Sequence, residues 1–255
     1  MKARIEHQGT SFTVDLSKPI DISIALSPNG PRAWYVEPMT IEPVKSEAFM
    51  GSVKEGGSVN FNNVFFNPHG HGTHTESFGH IAEEVVSVNK VLREFFFIAE
   101  LISITPEQVV EESEWRKRGD NIITLQQVEE ALAGKQAEAV IIRTLPNTPD
   151  KRTKNYSATN FTYIEHEALA WLAEQGIRHL LVDLPSVDRE HDGGLLKAHH
   201  AFWNYPQATR EFATITEFVF INDEVKDGSY FLNLQVAAIE NDAAPSRPVI
   251  FAIES

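Results

Sequence analysis

Apolar and polar residues alternate along Phe12-Thr13-Val14-Asp15-Leu16 and again along Ile20-Asp21-Ile22-Ser23-Ile24, the two-residue period of half-buried strands. The next stretch, Ser27-Pro28-Asn29-Gly30-Pro31, contains only turn formers and predicts a loop. Val59 to Phe66 is rich in β formers, broken by Asn60, Asn62 and Asn63 and stopped by Pro68. A mostly apolar run from Glu94 to Ile104 reads as a buried strand, and Thr105-Pro106-Glu107-Gln108 carries the residue order of a helix start. Thr124-Leu125-Gln126-Gln127 matches a capping box, which predicts a helix over Leu125 to Leu132 closed by Gly134.

Farther on, Ala139 to Thr144 is a short apolar run between turn signals, again a buried strand. Ile164 to Gln175 has helical spacing, with Ala168, Leu169 and Leu172 on one face and Gly176 at its end. His179 to Asp183 is the next buried strand. A strand, a helix and a strand at this spacing predict a parallel βαβ unit. The C-terminal part returns to β signals. Glu217 opens a strand containing Phe218 to Ile221, Asp227-Gly228 joins it to Tyr230–Val236, and Val249 to Ile253 follows. The fold class is α/β with a mixed sheet, and no repeat or linker divides residues 1–255, which predicts a single domain.

Composition narrows the functions. The chain has 255 residues, 42% hydrophobic and 23% charged, enough for one sizeable core. A net charge of −14 repels phosphate backbones, so no nucleic acid is expected as a partner. No apolar run approaches the length of a membrane span, and the N-terminal residues lack the apolar region of a secretory signal, so the expected setting is cytoplasmic. There is no cysteine, which leaves His, Asp, Glu or water to hold any transition metal.

The chemistry concentrates in Gly70-His71-Gly72-Thr73-His74-Thr75-Glu76-Ser77-Phe78-Gly79-His80. Four of the ten histidines fall between His69 and His80, and imidazole with carboxylate suits zinc or manganese. On a strand, His74 and Glu76 share a face and can clasp one ion. His80, four residues beyond Glu76, can curl back to handle a proton. A single histidine is more often a surface or core residue than a ligand; the spacing is what raises the cluster above that. A second group, Asp183-Leu184-Pro185-Ser186-Val187-Asp188, follows a buried strand, where open α/β sheets place ligand loops. His199, His200 and Glu217 come after it. A solvated pair and a strand-edge charge are the plain alternatives for these.

Taken together, these segments resemble the cyclase family of metal-dependent hydrolases, which contains bacterial kynurenine formamidase and isatin hydrolase. The family signature is His-x-Gly-Thr-His-x-Asp-x-Pro-x-His; Gly72, Thr73, His74 and His80 match it, with Glu76 in the aspartate position. Asp183, Pro185, Ser186, Val187 and Asp188 look like the family's Asp-x-Pro-Ser-x-Asp stretch. Ala198-His199-His200 and Ile215-Thr216-Glu217 look like its later histidine and Ile-x-Glu elements. The resemblance implies a swivelling β/β/α-type fold, usually in homodimers or homotetramers. It implies His74, Glu76, His199 and Glu217 as metal ligands and His80 as the catalytic acid/base. The implied cofactor is one or two Zn²⁺ or Mn²⁺ ions. The implied reaction is water attack on an amide, formamide or cyclic amide carbonyl of a small molecule, as in an arylformamidase or cyclic amidase. A lactone or cyclic-ester hydrolase is the enzymatic alternative, and an impaired binding or assembly homologue the other.

Three departures from the signature matter. The family's first histidine falls on Gly70, so one ligand is missing from its usual place. In an unbroken strand His69 and His71 would both face away, but Gly70 and Gly72 permit a bulge. His69, entering from the Pro68 turn, is favoured as the replacement ligand, with His71 as its rival. Glu76 is one methylene longer than aspartate. Phe78 replaces the family's proline and changes the pocket wall. The span from His199 to Glu217, with Trp203 and Tyr205 inside it, is expected to reshape the substrate mouth. Trp34, Phe66 and Phe78 are the candidate substrate-binding residues, although aromatic rings more often serve packing.

Overall fold

The computed structural model describes residues 1–254. Eleven strands form one mixed sheet. Its order runs Lys2–His7, Thr10–Asp15, Val249–Glu254, Gly228–Asn233, Phe96–Ile104, Ala139–Thr144, His179–Val182, Thr214–Glu217, His74–Glu76, Ala243–Pro245, with Ile20–Asp21 also pairing Val249–Glu254. The central strands from Phe96–Ile104 to Thr214–Glu217 are parallel, and every pairing outside them is antiparallel. This is the mixed α/β architecture that the apolar pattern predicts.

The parallel centre is covered on both faces, which is why its strands are continuous apolar runs. All of Ala139–Thr144 is buried. Val140 and Ile142 turn to one face, against Val128, Leu132, Leu169 and Leu172 of the helices Leu125–Leu132 and His166–Glu174. Ala139 and Ile141 turn to the other, against Phe97, Leu101, Leu181 and Leu232. The Leu125–Leu132 helix begins with the expected capping box: Gln127 N–H donates to Thr124 Oγ1 (3.3 Å) and Thr124 N–H to Gln127 Oε1 (3.1 Å). The His166–Glu174 helix joins two adjacent parallel strands, Ala139–Thr144 and His179–Val182, as the βαβ reading requires. Among the described residues no helix is long and apolar enough to cross a membrane.

Several local expectations fail. Thr105-Pro106-Glu107-Gln108 starts no helix; Glu107–Gln108 pairs antiparallel with Asn121–Ile123. Val109 and Val110 follow the capping residues and are β-branched, and Glu111, Glu112 and Glu114 come next, so no apolar stripe at helical spacing develops. Glu217 closes a strand, Thr214–Glu217, instead of opening one. Phe218 takes φ 56°, turning the chain, and Phe218 to Ile221 keeps only a bridge from Val219 to Ser23. Asp227-Gly228 therefore makes no hairpin with that segment, and Gly228–Asn233 lies between Phe96–Ile104 and Val249–Glu254. Of Ile20 to Ile24, only Ile20–Asp21 is strand.

Candidate metal centre

The short His74–Glu76 strand lies between Thr214–Glu217 and Ala243–Pro245. Register places Glu217 opposite His74 and Ile215 opposite Glu76. Strand alternation then puts His74, Glu76 and Glu217 on one face, while Thr75 and Thr216 share a hydroxyl hydrogen bond (2.8 Å) on the other. His74, Glu76 and Glu217 are all buried. His199 reaches them from the Lys197–Trp203 helix. Its Nε2 is 3.0 Å from Glu76 Oε1 and 3.9 Å from Glu217 Oε1. His69 Nδ1 is 3.0 Å from Glu76 Oε2, and His80 Nε2 is 4.0 Å from the same oxygen. His74 Nε2 lies 3.4 Å from Glu217 Oε2 and has no hydrogen-bond partner.

Each inward-facing imidazole has an acceptor on its outward nitrogen. His199 Nδ1 pairs with Asp188 Oδ2 (2.6 Å), His74 Nδ1 faces Gly72 O (3.2 Å), and His69 Nε2 meets Asp242 Oδ2 (2.7 Å). His80 Nδ1 also meets Asp242 Oδ2, at 3.3 Å. This is how proteins fix the tautomer and orientation of metal-binding histidines. The fit to a divalent metal can be judged from these donors alone. Inward nitrogens of His69, His74 and His199 converge with the carboxylates of Glu76 and Glu217, and the fully buried His74 Nε2 lacks a hydrogen-bond partner among the described residues. A buried donor set of nitrogen and oxygen suits zinc or manganese.

Electrostatics without an ion are those of a crowded acid–imidazole cluster. Burial opposes charge on His69, yet its hydrogen bond to Asp242 and its ion pair with Glu76 outweigh burial and hold its pKa at about 10. Burial likewise opposes charge on His199, but Asp188 and Glu76 raise it well above the usual imidazole value. Burial would raise Glu76; the His80 charge and the His199 and His69 contacts hold it well below the usual carboxylate range instead. Bound metal would replace those protons, because imidazole ligates only when neutral.

The family model described as Putative cyclase matches residues 14–189, more than half of the chain. The chain belongs to this family. Several solved structures share its fold. One is a potential metal-dependent hydrolase with cyclase activity, at 18% identity over 93% of this chain and 99% of that chain, with a TM-score of 0.66. Another is an isatin hydrolase bound to the product analogue thioisatinate, at 13% identity over 93% of each chain and a TM-score of 0.61. A third is isatin hydrolase A from Labrenzia aggregata bound to benzyl benzoate, at 14% identity over 93% of this chain and 94% of that one, TM-score 0.63. At such identities the likeness is one of fold.

Against the cyclase-family signature, Gly70 leaves no side chain where the signature has histidine, and a side chain there would have to displace a neighbour. A Cβ there would come within 2.8 Å of Val36 Cγ2. The parity expectation for His69 and His71 does not apply, because the strand begins only at His74 and Gly72 takes φ 59°. Asn67 Oδ1 accepts the backbone N–H groups of His69 and Gly70 (2.9 Å each), folding a turn that carries His69 into the cluster. The ring of His71 faces the other way, with Nε2 2.8 Å from Glu37 O. His80 sits on the single turn Phe78–His80, its ring stacked on that of His69 at 4.1 Å.

The aromatic candidates separate. Trp34 meets Phe161 edge-on (5.9 Å), within a group that includes Tyr156 and Phe218, and Phe218 lies 6.1 Å from His74. The structure thus joins Trp34 to the site through other rings. Phe66 is half-buried, between the exposed Asn62–Phe65 strand and the Asn67 turn. Phe78 is half-buried against the main core and 6.5 Å from Tyr205. Trp203 is a correction: it is fully buried, donates Nε1–H to Ala213 O (3.0 Å) and packs beside His199, so it supports the helix instead of shaping a mouth. His200 turns away to Tyr205 O. Asp183, first residue of its motif, is a buried brace that accepts Thr144 N–H and Lys151 Nζ.

Asp242 escaped the sequence reading altogether. It lies outside the matched family segment, in a loop before the Ala243–Pro245 strand, with no motif around it. Its role is visible only because that edge strand pairs with His74–Glu76.

Proposed function

We propose that this protein is a metal-dependent hydrolase of a small-molecule amide, formamide or cyclic amide. The observation that carries the reading is the convergence of His74, Glu76, His199 and Glu217 from two segments far apart in the chain, with His69 standing in for the histidine absent at Gly70. His69, His74, His199, Glu76 and Glu217 would hold one or two Zn²⁺ or Mn²⁺ ions. When bound, such an ion polarises the carbonyl and makes a water more acidic.

The chain's own residues supply the rest. His80 is half-buried at the edge of the cluster, with Nε2 facing inward and Nδ1 anchored on Asp242. It can take a proton from the attacking water and return it to the departing nitrogen, the two halves of general base and acid catalysis. Asp188 holds the His199 ring in place. The isatin hydrolases of shared fold support a cyclic amide within this class. His69 in the cluster favours a working site over an impaired homologue.

The test is metal analysis of protein purified with zinc or manganese, followed by a screen of N-formylkynurenine, isatin, hydantoins and lactones. At least one equivalent of metal and turnover of a C–N substrate are expected. Protein that retains no metal refutes the reading, and turnover confined to lactones replaces it by the cyclic-ester alternative.

A further inference from the structure

We propose that Asp242 is a positioning residue that orients both His69 and His80, and that it is what allows the metal ligand absent at Gly70 to be replaced from His69. The inference rests on the hydrolase reading above. Asp242 Oδ2 is 2.7 Å from His69 Nε2 and 3.3 Å from His80 Nδ1, so one carboxylate oxygen anchors the outward nitrogen of two rings. Those rings are stacked with centroids 4.1 Å apart, and both inward nitrogens face Glu76 Oε2. Opposite nitrogens are used in the two cases: His69 turns Nε2 and His80 turns Nδ1 to Asp242.

A histidine displaced by one position enters the site from a different direction. It must present Nδ1, since its Nε2 points back toward the edge strand. A neutral imidazole can offer Nδ1 as a ligand only when Nε2 carries the proton, and an acceptor at Nε2 selects that tautomer. Asp242 supplies it. The backbone holds the carboxylate in place independently: Ser77 N–H donates to Asp242 O (2.9 Å), and Ala243 pairs with Glu76 in the sheet. On the far side, Asp188 does the same for His199, but it also accepts the backbone N–H groups of Ala198 and His199, so it has a structural task that the Asp242 side chain lacks.

The experiment is a competition titration of Zn²⁺ against a chromophoric chelator, with the full chain and the variants Asp242→Asn, Asp242→Glu, His69→Ala and the His69→Ala, Asp242→Asn pair. Asp242→Asn should weaken zinc about 10- to 100-fold, the usual cost of losing an outer-shell partner. Asp242→Glu should recover part of that loss. In the His69→Ala background, Asp242→Asn should have little further effect. In zinc-loaded wild type, ring ¹⁵N shifts should show His69 protonated at Nε2 and coordinated through Nδ1.

Asp242→Asn binding within twofold of wild type overturns the inference. So does an undiminished effect in the His69→Ala background, or the opposite His69 tautomer. Loss of one whole zinc equivalent with the rest unchanged would make Asp242 a ligand of an outer ion and also overturn it. Wild type without zinc binding refutes the hydrolase reading and removes the inference with it; wild-type binding insensitive to Asp242 removes the inference alone.

Discussion

Glu76 is gripped from two sides, and the sides are built differently. On one, His199 meets Oε1 from a helix, with its far nitrogen on Asp188; side-chain exposure is 2% and 8% for the pair. On the other, His69 meets Oε2 from a turn, with its far nitrogen on Asp242; exposure is 20% and 14%. The local chemistry is the same, imidazole between two carboxylates, but the supports are not. Asp188 also ties the start of the helix, so its geometry is enforced by the fold. The His69 ring depends on a turn made by Asn67 and on a single carboxylate from the edge of the sheet. The replacement for the signature's first histidine, His69, belongs to the rim side.

The comparison breaks most visibly at His199. His199→Ala should lose metal and leave the Asp188 carboxylate buried without its partner, costing about 3–5 kcal/mol of stability. His69→Ala should also lose metal but cost less, about 1–3 kcal/mol, because Asp242 is only partly buried and the buried Glu76 keeps its contact with His199. Equal losses in denaturant unfolding of the two metal-free variants would erase the distinction. A second break separates ligand from proton carrier. His80→Ala should lower turnover by about 10²–10⁴-fold with metal content unchanged. Metal lost along with turnover would make His80 a ligand on the rim side.

A further test concerns a buried histidine outside the site. His179 is as buried as His199, but its ring has only Thr214 Oγ1 (2.8 Å) and no carboxylate. Burial, then the charges of Arg178 and Arg210, push its pKa down to about 3. The unfolded chain therefore takes up this proton first as pH falls. Stability from this group is complete above the ordinary imidazole value of about 6.5 and is lost as pH falls toward 3, at up to about 1.4 kcal/mol per pH unit. His179→Gln should flatten that acid limb in urea unfolding measured across pH, and an unchanged slope would show that His179 does not titrate this way.

The legible parts were those with a local cause. The capping box at Thr124, the apolar run Ala139–Thr144 and the same-face pair His74 and Glu76 each follow from spacing along one segment, and the structure has them where the pattern puts them. Thr105 to Gln108 misled because a capping signal has no weight without an apolar face behind it. Parity did not decide between His69 and His71, because the strand begins only at His74 and Gly72 takes φ 59°; the favoured His69 is the one that turns inward. Trp203 misled because an insertion looks like surface until its helix is seen packed in the core.

What the residues determined alone was the fold class, the parallel centre of the sheet and the types of side chain available to a metal, because periodicity and donor chemistry are properties of short segments. Tertiary structure decided which donors meet. Pairing of Thr214–Glu217 and Ala243–Pro245 on either side of His74–Glu76 brings Glu217 and Asp242 to the cluster across more than a hundred residues of chain. A Cβ at position 70 would meet the Val36 side chain, and the Asn67 turn sends His69 inward instead of His71. The strand pairings and the approach of Val36 lie outside any local pattern, because each joins two segments whose only relation is that they pack together.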